Sequence, residues 1–301
     1  MAVSPSGTTV SVTGTSFGRG GASGDYATVA YSAATGRRLW VGRYNGPGNG
    51  FDGASALAVS PAGTRVFVTG QSQGRGTGSL ADDYATVAYS AATGRQLWVS
   101  RYTGPPRKSR DNGASALAVS PGGSRVFVTG YSFGRVTRFD YATVAYSAAT
   151  GRQLWVSRYN GAGNGFDAAA SVAVSPGGSR VFVTGYSAGG TGSGDYATVA
   201  YSAAAGKQQW VSRYNGPASL YDAACCVAVS PAGTAVFVTG YGYDMTTKLR
   251  LRHRCLPRLR PPVLPGQRIA RAARPRVADR PIPAGPGERT VRSVRADQGQ
   301  A

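Results

Sequence analysis

The alternation of apolar and polar residues along the chain predicts short β-strands and no helices. In the segment QLWVSRY (Gln96–Tyr102), leucine and valine fall on one side of an extended chain, and tryptophan, serine and tyrosine fall on the other. Similar runs, such as Tyr84–Ser90, are rich in β-branched and aromatic residues. Segments rich in Gly, Pro and Ser separate the runs and are typical of turns. No segment has the 3.6-residue period of an amphipathic helix.

The same set of strands recurs every 55 to 60 residues. The motif VSP ends at Pro5, Pro61, Pro121, Pro176 and Pro231. One full unit reads ASALAVSPAGTRVFVTGQS…DDYATVAYSAATGRQLWVSRYTGP and contains four strand signals. Four antiparallel strands in a repeat of this length are typical of a β-propeller blade. A parallel β-solenoid is the alternative fold, but its rungs are usually shorter and do not carry two hairpin turns each.

We therefore predict an all-β chain in which residues 1–243 form a β-propeller of about four and a half four-stranded antiparallel blades, an incomplete arc. The units cover approximately residues 1–50, 51–112, 113–167 and 168–220, with a half unit at 221–243. The chain begins inside a first strand, and its fifth unit stops after two strands. The sequence is thus expected to be a fragment of a longer propeller.

Residues 244–301 differ from the repeats in composition. They contain 14 Lys and Arg against 4 Asp and Glu, no aromatic residue, and half of the formal net charge of +20. We predict that this tail is disordered. One interpretation is a basic arm that binds nucleic acid or an acidic membrane. The lack of aromatic residues argues against nucleic acid as the partner, because proteins that hold single strands stack bases on aromatic rings.

A shift of reading frame is the interpretation of the tail that we favour. The stretch LRLRHRCLP (Leu249–Pro257) can be encoded by DNA that reads YDYATVAY when it is translated one base later. This is the strand that the repeat requires at that place, since the third unit contains FDYATVAY (Phe139–Tyr146). The tail would then be a frameshift product, caused by a sequencing error or by degradation of the gene.

The segment YSAATGRQLW (Tyr89–Trp98) resembles the LD-x-x-TG-x-x-LW strand–turn–strand of quinoprotein-like (PQQ-like) propeller repeats. The whole unit resembles the repeats of bacterial tandem-repeat propeller proteins, and the resemblance covers residues 1–243. It implies the fold and little about activity. We expect a non-enzymatic binding or scaffold module that meets an unknown protein or carbohydrate ligand through its blade loops, without a cofactor. The alternative is a fragment of a PQQ-dependent dehydrogenase, with PQQ and calcium as cofactors.

The adjacent Cys225 and Cys226 are the most specific chemical feature of the repeats. The resemblance implies a cofactor-binding role for them, because a ring disulfide of adjacent cysteines stacks on the cofactor in some quinoprotein dehydrogenases. Aligned on Pro231, however, the pair replaces Ser55 and Ala56 of another unit. We favour the simpler interpretation that both thiols are small, buried strand side chains.

Aspartates recur in two sets. One set precedes the third strand of each unit and comprises Asp25, Asp83, Asp140 and Asp195. The other precedes the first strand and comprises Asp52, Asp111, Asp167 and Asp222. The functional interpretation is one calcium or polar-ligand site per blade, with the first set as metal candidates. The structural interpretation, which we favour, is that each aspartate accepts hydrogen bonds from local backbone N–H groups of a turn.

Arginine recurs in the fourth strand, at Arg43, Arg101, Arg158 and Arg213. These side chains could form a basic ring for an anionic polymer. We favour the alternative that they protect the exposed outer edge of each blade, where charge discourages pairing between molecules.

Several kinds of site lack their residues. The only histidine, His253, lies in the tail, so the repeats offer no Ser/His/Asp or Cys/His arrangement, and no CxxC pair is present. We predict no catalytic residue. No apolar run is long enough to cross a bilayer, and no secretory signal is recognisable. The compartment is left open, with a secreted or cell-surface parent protein as one option.

Overall fold

A computed structural model describes residues 1–18, 23–75, 82–105, 111–134, 137–189, 193–217, 219–242 and 250–256. Within these ranges all regular elements are β-strands. Because strand signals alternate with glycine-containing turns throughout the repeats, no run is long enough for a helix to compete. None of the described segments forms a helix with the length and hydrophobicity that a membrane crossing requires.

The strands form five sheets, each a blade. Blade 1 contains β1 (Ala2–Val3), β2 (Thr9–Phe17), β3 (Gly24–Ser32) and β4 (Arg38–Tyr44). Blade 2 contains β5 (Asp52–Val59), β6 (Arg65–Gln73), β7 (Asp82–Ser90) and β8 (Gln96–Tyr102). Blade 3 contains β9 (Asn112–Val119), β10 (Arg125–Phe133), β11 (Phe139–Ser147) and β12 (Gln153–Tyr159). Blade 4 contains β13 (Asp167–Val174), β14 (Arg180–Ala188), β15 (Gly194–Ser202) and β16 (Gln208–Tyr214). Blade 5 contains β17 (Asp222–Val229), β18 (Val236–Gly242) and β19 (Arg250–Leu256).

Each blade is an antiparallel sheet whose strands follow their order in the chain. The first strands of successive blades contact one another, β5 with β9, β9 with β13 and β13 with β17, so they surround the axis of the propeller. The fourth strands lie outside. The described parts of the first and fifth sheets do not pack against each other, and the blades form an open arc. The predicted all-β propeller of about four and a half blades is confirmed.

One strand lies in the segment for which disorder is predicted. Arg250–Leu256 forms β19 and pairs with β18, so over these seven residues the structure departs from that prediction. The free edge of β18 presents unpaired N–H and C=O groups that an extended segment can satisfy. Thr239 lies opposite His253, as Thr184 lies opposite Thr198 in blade 4. This is the register in which the shifted reading frame places its threonine. The remainder of 244–301 lies outside the described residues.

The hydrophobic cores lie between the blades, and each one joins a face of one sheet to a face of the next. In β7, Tyr84 and Ala88 pack toward blade 3, whereas Val87 and Tyr89 pack toward blade 1. The central strands are therefore buried on both faces. This explains why they are rich in valine, tyrosine and alanine on both sides, without polar residues at alternate positions.

The two ends of the blades differ. At one end lie the hairpin turns between the first and second strands and between the third and fourth strands; we call this end the turn face. At the other end, the loop face, lie the connections between the second and third strands and between blades. Each turn between the third and fourth strands contains a glycine with positive φ, such as Gly151 at 75°. A Cβ on Gly151 would lie 2.8 Å from the ring of Trp98 in the preceding blade.

We expect Gly151→Ala to lower the free energy of unfolding by about 2 kcal/mol or more. The substitution places a side chain in left-handed backbone and forces it against Trp98. Gly122→Ala is the matched control, because a Cβ at Gly122 meets no atom within 4 Å and its φ is not positive. Its effect should stay below about 1 kcal/mol. Urea unfolding of both variants provides the measurement, and equal midpoints would contradict the role of this glycine.

Candidate functional site

The aspartates before the third strands form ion pairs with the arginines of the fourth strands. The N–O distance is 2.9 Å in the pairs Arg101–Asp83, Arg158–Asp140 and Arg213–Asp195. In blade 1 the pair Arg43–Asp25 is longer, at 3.9 Å, and half of the arginine side chain is exposed. In the described part of the chain, no three His, Cys, Asp or Glu side chains lie close enough together to hold a metal ion.

Three of these arginines, Arg101, Arg158 and Arg213, also bind the preceding blade. Arg101 Nη1 donates to the hydroxyl of Tyr44 in blade 1 at 2.7 Å and to Ser72 Oγ at 2.7 Å. Arg158 donates to Tyr102 and Arg213 to Tyr159 in the same way, at 2.9 and 3.0 Å. The interpretation as guards of an exposed edge is therefore wrong for Arg101, Arg158 and Arg213. Their guanidinium groups turn into the blade boundary because a carboxylate, a serine and a tyrosine hydroxyl offer acceptors there.

Two further bonds repeat at the three boundaries between blades 1 and 4. Tyr84 in β7 donates from its hydroxyl to Ala142 O of the next blade at 3.2 Å. Trp98 Nε1 donates to Ala148 O at 3.1 Å. The equivalent bonds join blade 1 to blade 2 and blade 3 to blade 4. The residues of the repeated motifs DYATVAY, LW and RY thus hold adjacent blades together.

The second set of aspartates bonds backbone groups, as the structural interpretation expects. Asp52 accepts from Gly46 N at 2.7 Å and from Gln73 N at 3.1 Å. Asp167 makes the equivalent bonds to Gly161 N and Ala188 N. Burial raises the pKa of the Asp52 and Asp167 carboxyls above the usual range.

Asp111 does not belong to this set, which corrects the sequence assignment by one residue. Asn112 lies opposite Ser132, as Asp52 lies opposite Ser72, so the asparagine takes the place of the aspartate. Asp111 instead takes the place that Phe51 holds in blade 2. At this position blades 4 and 5 carry Phe166 and Tyr221.

The boundary between blades 2 and 3 is polar at the loop face. Gln71 Nε2 donates to Asp82 Oδ2 at 2.5 Å, and Tyr131 is hydrogen bonded to Asp111. Burial raises the pKa of Asp82, and the nearby charge of Asp111 raises it further. Burial, followed by the charge of Asp111, raises the pKa of Tyr131 to about 12.

The boundary between blades 4 and 5 is aromatic at the corresponding place. Tyr221 stacks on Tyr186 with ring centroids 4.6 Å apart and on Tyr241 at 5.9 Å, with the planes within 23° of parallel. Phe166 lies 6.0 Å from Tyr186. These four rings line a cavity of about 350 Å³. The rest of its lining comprises Ser115, Ala168, Ala169, Ala170, Ala223, Ala224 and Cys225.

The rings of this cavity reach solvent. The exposed fraction is 43% for Phe166, 42% for Tyr221 and 36% for Tyr241. The alanines come from first strands, so the cavity lies beside the axis of the propeller. We call it the aromatic cavity. Large apolar side chains with this exposure, gathered around one cavity, are typical of a binding site.

Cys225 and Cys226 lie at a β-bulge in β17. The register of β17 with β18 shifts between Ala224 and Cys226, so two consecutive residues face one partner and their side chains point to one side. Their sulfur atoms are 3.1 Å apart, and Cys225 lines the aromatic cavity. Both thiols are exposed, and the interpretation as buried strand side chains is wrong. Cys225 is exposed as a residue, but partial desolvation of its thiol beside the cavity wall, followed by the hydrogen bond with Cys226, raises the pKa of Cys225 to about 11.

The residues of the aromatic cavity do not fit PQQ with calcium. PQQ carries several carboxylates, which require cations, and calcium requires oxygen ligands with negative charge. The lining of the cavity contains neither a basic nor an acidic side chain.

The aromatic cavity was not predicted from the sequence. One feature of the sequence indicates it, because the residue before each first strand is not constant. That residue is Phe51, Asp111, Phe166 or Tyr221 in successive units, so the repeat is broken at this position. Asp111 hides this break in the repeat, because it directly precedes Asn112 and so resembles the aspartates that start the first strands of the other units.

We expect Arg101→Ala to lower the free energy of unfolding by about 3–5 kcal/mol, because it leaves the carboxylate of Asp83 buried without its cation. Arg43→Ala is the matched control, since it removes the same repeat position where the pair is long and exposed. Its effect should be below about 1 kcal/mol. Urea unfolding distinguishes the two, and equal losses would show that the buried network contributes nothing beyond a surface ion pair.

We expect Asp82→Asn to raise the melting temperature at pH 7 by about 1–3 °C. The raised pKa means that the folded protein binds the proton of Asp82 more tightly than the unfolded chain does. The ionised carboxylate therefore destabilises the fold, and this effect develops as the pH rises through the folded pKa. The asparagine oxygen can still accept from Gln71.

The pH dependence is the check on this expectation. The gain in melting temperature from Asp82→Asn should shrink toward zero near pH 3. At that pH the carboxyl of Asp82 is protonated, so the original and the variant protein both carry a neutral side chain at this position. Calorimetry at both pH values measures it, and a gain that does not depend on pH would contradict the electrostatic cause.

Comparison with known proteins identifies the family. The sequence model of the family described as outer membrane protein assembly factor BamB matches residues 4–222. No curated protein is similar enough to the chain to count as a match.

Solved structures of propellers are similar at low identity. BamB from Moraxella catarrhalis is 14% identical with a TM-score of 0.41, over 75% of this chain and 54% of that one. TolB from Acinetobacter baumannii is 16% identical with a TM-score of 0.44, over 85% and 53%. Quinohemoprotein alcohol dehydrogenase from Comamonas testosteroni is 14% identical with a TM-score of 0.43, over 74% and 40%. The chain spans about half the length of the solved structures that it matches.

The family model covers most of the repeat region, and the strands of the structure form the antiparallel blades that the PQQ-like repeats require. The chain belongs to the family of the outer membrane protein assembly factor BamB and is a propeller of PQQ-like repeats.

Proposed function

We propose that the chain is a non-enzymatic interaction module that binds a partner protein through the aromatic cavity and the loops around it. The observation that carries the proposal is the row of Tyr186, Tyr221 and Tyr241, which stack in near-parallel planes over a floor of alanines and are open to solvent. Aromatic side chains of this kind are the commonest anchors of protein interfaces.

The chemistry of the lining favours a protein over a carbohydrate. A sugar ring stacks on an aromatic face, but its hydroxyl groups also require several polar partners around it. Apart from the tyrosine hydroxyls, the lining offers Ser115 and Cys225, and the rest is alanine and phenylalanine. An apolar side chain of a partner protein fits such a surface without leaving polar groups unpaired.

The location supports the same function. The aromatic cavity opens at the loop face, where the connections between second and third strands vary in length from blade to blade. Variable loops on a rigid scaffold commonly carry binding surfaces. The description of the family as outer membrane protein assembly factor BamB also supports partner binding, and we extend it to propose that this protein works in the cell envelope.

The repeated polar residues are already used within the fold. The Asp–Arg pairs, the serines and the tyrosine hydroxyls bond one blade to the next, which leaves little of the repeated chemistry for catalysis. Apart from its tyrosines, the lining of the aromatic cavity contains two side chains of nucleophilic type, Cys225 and Ser115. The pKa of Cys225 is raised to about 11, so its reactive thiolate is scarce at neutral pH, and the repeats contain no histidine that could activate Ser115.

The test is selection of random short peptides, displayed on phage, on the full chain. We expect the selected peptides to share an apolar or aromatic residue and to bind the purified chain in fluorescence polarisation. Tyr221→Ala should weaken that binding at least tenfold, a loss of about 1.4 kcal/mol or more. Phe51→Ala is the matched control, because Phe51 holds the same repeat position in blade 2 and lies outside the aromatic cavity.

Three outcomes would contradict the proposal. Peptide binding that is equal for Tyr221→Ala and Phe51→Ala would remove the aromatic cavity as the site. Binding of glucan or mannan oligosaccharides that is lost in Tyr221→Ala would assign the cavity to carbohydrate. Dye reduction by the chain with PQQ, calcium and an alcohol would support the dehydrogenase alternative.

A further inference from the structure

We propose that the turn face binds the surface of an anionic lipid bilayer. The proposal concerns the end of the molecule opposite the aromatic cavity and does not rest on the function proposed above. It begins with the distribution of charge in the repeats. The turns of blades 1 to 4 carry eight basic residues, namely Arg37, Arg38, Arg65, Arg95, Arg125, Arg152, Arg180 and Lys207.

All nine carboxylates of residues 1–243 belong to the opposite end. Each lies at or next to the start of a first or third strand, and these starts form the loop face: Asp25, Asp52, Asp82, Asp83, Asp111, Asp140, Asp167, Asp195 and Asp222. The sequence contains no glutamate in this region. Within the described repeats, the turn face therefore carries charge of a single sign, and the repeats are polarised along the axis of the propeller.

The strand register brings the two basic residues of a blade together. In blade 2, Arg65 pairs with Ser90 across the sheet, and Arg95 O accepts a hydrogen bond from Ser90 N at 2.8 Å. Arg125 and Arg152 flank Ser147 in the same way, and Arg180 and Lys207 flank Ser202. Each of blades 2 to 4 thus presents a pair of cations at one end of its sheet.

These pairs lie in one layer. The hairpin turns are of equal length in blades 2, 3 and 4, and each is joined to its neighbour at the same level. Trp40 Nε1 donates to Ala91 O in the turn of blade 2, and Trp98 Nε1 donates to Ala148 O in the turn of blade 3. The turns do not vary in length from blade to blade, whereas the loops of the opposite end do. The cations of blades 2 to 4 are therefore expected to lie in one plane, as a level array, and not along the walls of a groove.

The array is not neutralised within the described residues. The ion pairs found there join Arg43, Arg101, Arg158 and Arg213 to aspartates of the loop face. Arg95, Arg152 and Lys207 are exposed, as are Arg37 and Arg38, while the remaining three are half-buried. An extended anionic surface outside the molecule is the partner that such an array fits.

The choice of a bilayer over a nucleic acid rests on shape and composition. Five of the large exposed aromatic side chains of the described residues belong to the loop face, namely Phe17, Phe51, Phe166, Tyr221 and Tyr241. Phe237, next to the turn of blade 5, is a single ring, whereas the turns of blades 1 to 4 that carry the cations offer no row of exposed rings for stacking of bases. A level array touches a flat surface at all its cations at once, whereas a duplex curves away from it. Anionic lipids attract basic side chains near the surface, and salt screens this attraction. Bound in this way, the chain would direct its aromatic cavity away from the bilayer.

The test is co-sedimentation of the full chain with vesicles of phosphatidylcholine and phosphatidylserine. The turn-face variant carries Arg95→Gln, Arg152→Gln and Lys207→Gln. The control variant carries Arg43→Gln, Arg75→Gln and Arg138→Gln, three exposed arginines of the loop face, so both variants have the same net charge. The basic residues 244–301 are present in both and cannot cause a difference between them.

We expect the turn-face variant to lose at least about tenfold in its partition onto the vesicles at low salt. The control variant should change by less than about twofold, and pure phosphatidylcholine vesicles should bind neither. Equal binding of the two variants would overturn the proposal, because it would assign the attraction to net charge or to the tail. Retention by duplex DNA with no binding to vesicles would also overturn it. Equal melting temperatures of the two variants confirm that both are folded.

Discussion

The structure depends on the boundary between adjacent blades. A four-stranded sheet with apolar residues on both faces cannot bury them alone, and the hydrophobic cores of the described residues each lie between two sheets. Polar bonds reinforce the same boundaries: Tyr84 and Trp98 donate to backbone oxygens of the next blade, and Arg158 donates to Tyr102 of the preceding one. The residues that recur in each unit therefore hold adjacent blades together, and a blade is stable because it packs against its neighbours.

This constraint separates structural from functional residues. The residues that recur in every unit, such as Asp83 and Arg101, are engaged between blades and are poor candidates for a binding site. The informative positions are those where the repeat is broken. Asp111 and Tyr221 occupy the same repeat position in different blades. At the loop face, Asp111 makes the boundary between blades 2 and 3 polar, whereas Tyr221 makes the boundary between blades 4 and 5 an aromatic cavity. The turn face is informative for the opposite reason, because its cations recur without any carboxylate to neutralise them.

Much of the fold could be predicted from the sequence because strand periodicity and repeat length are local properties. The period of two in Gln96–Tyr102 and the spacing of the VSP motifs predict the strands and the blades that the structure contains. The candidate site could be predicted less well. The bulge that places the side chains of Cys225 and Cys226 on one side arises from the pairing of β17 with β18. The guanidinium of Arg101 takes its position because it donates a hydrogen bond to Tyr44 in another blade. Contacts between residues more than 50 positions apart are not visible in a single unit of the repeat.

The most direct test of the account is a double-mutant cycle across one blade boundary. Tyr102→Phe and Arg158→Met remove the two partners of a hydrogen bond of 2.9 Å between blades 2 and 3, singly and together. Urea unfolding of the four proteins gives the coupling energy between the two side chains. If the repeated residues join the blades, the coupling should be about 1 kcal/mol or more. Additive losses, with no coupling between Tyr102 and Arg158, would contradict the account.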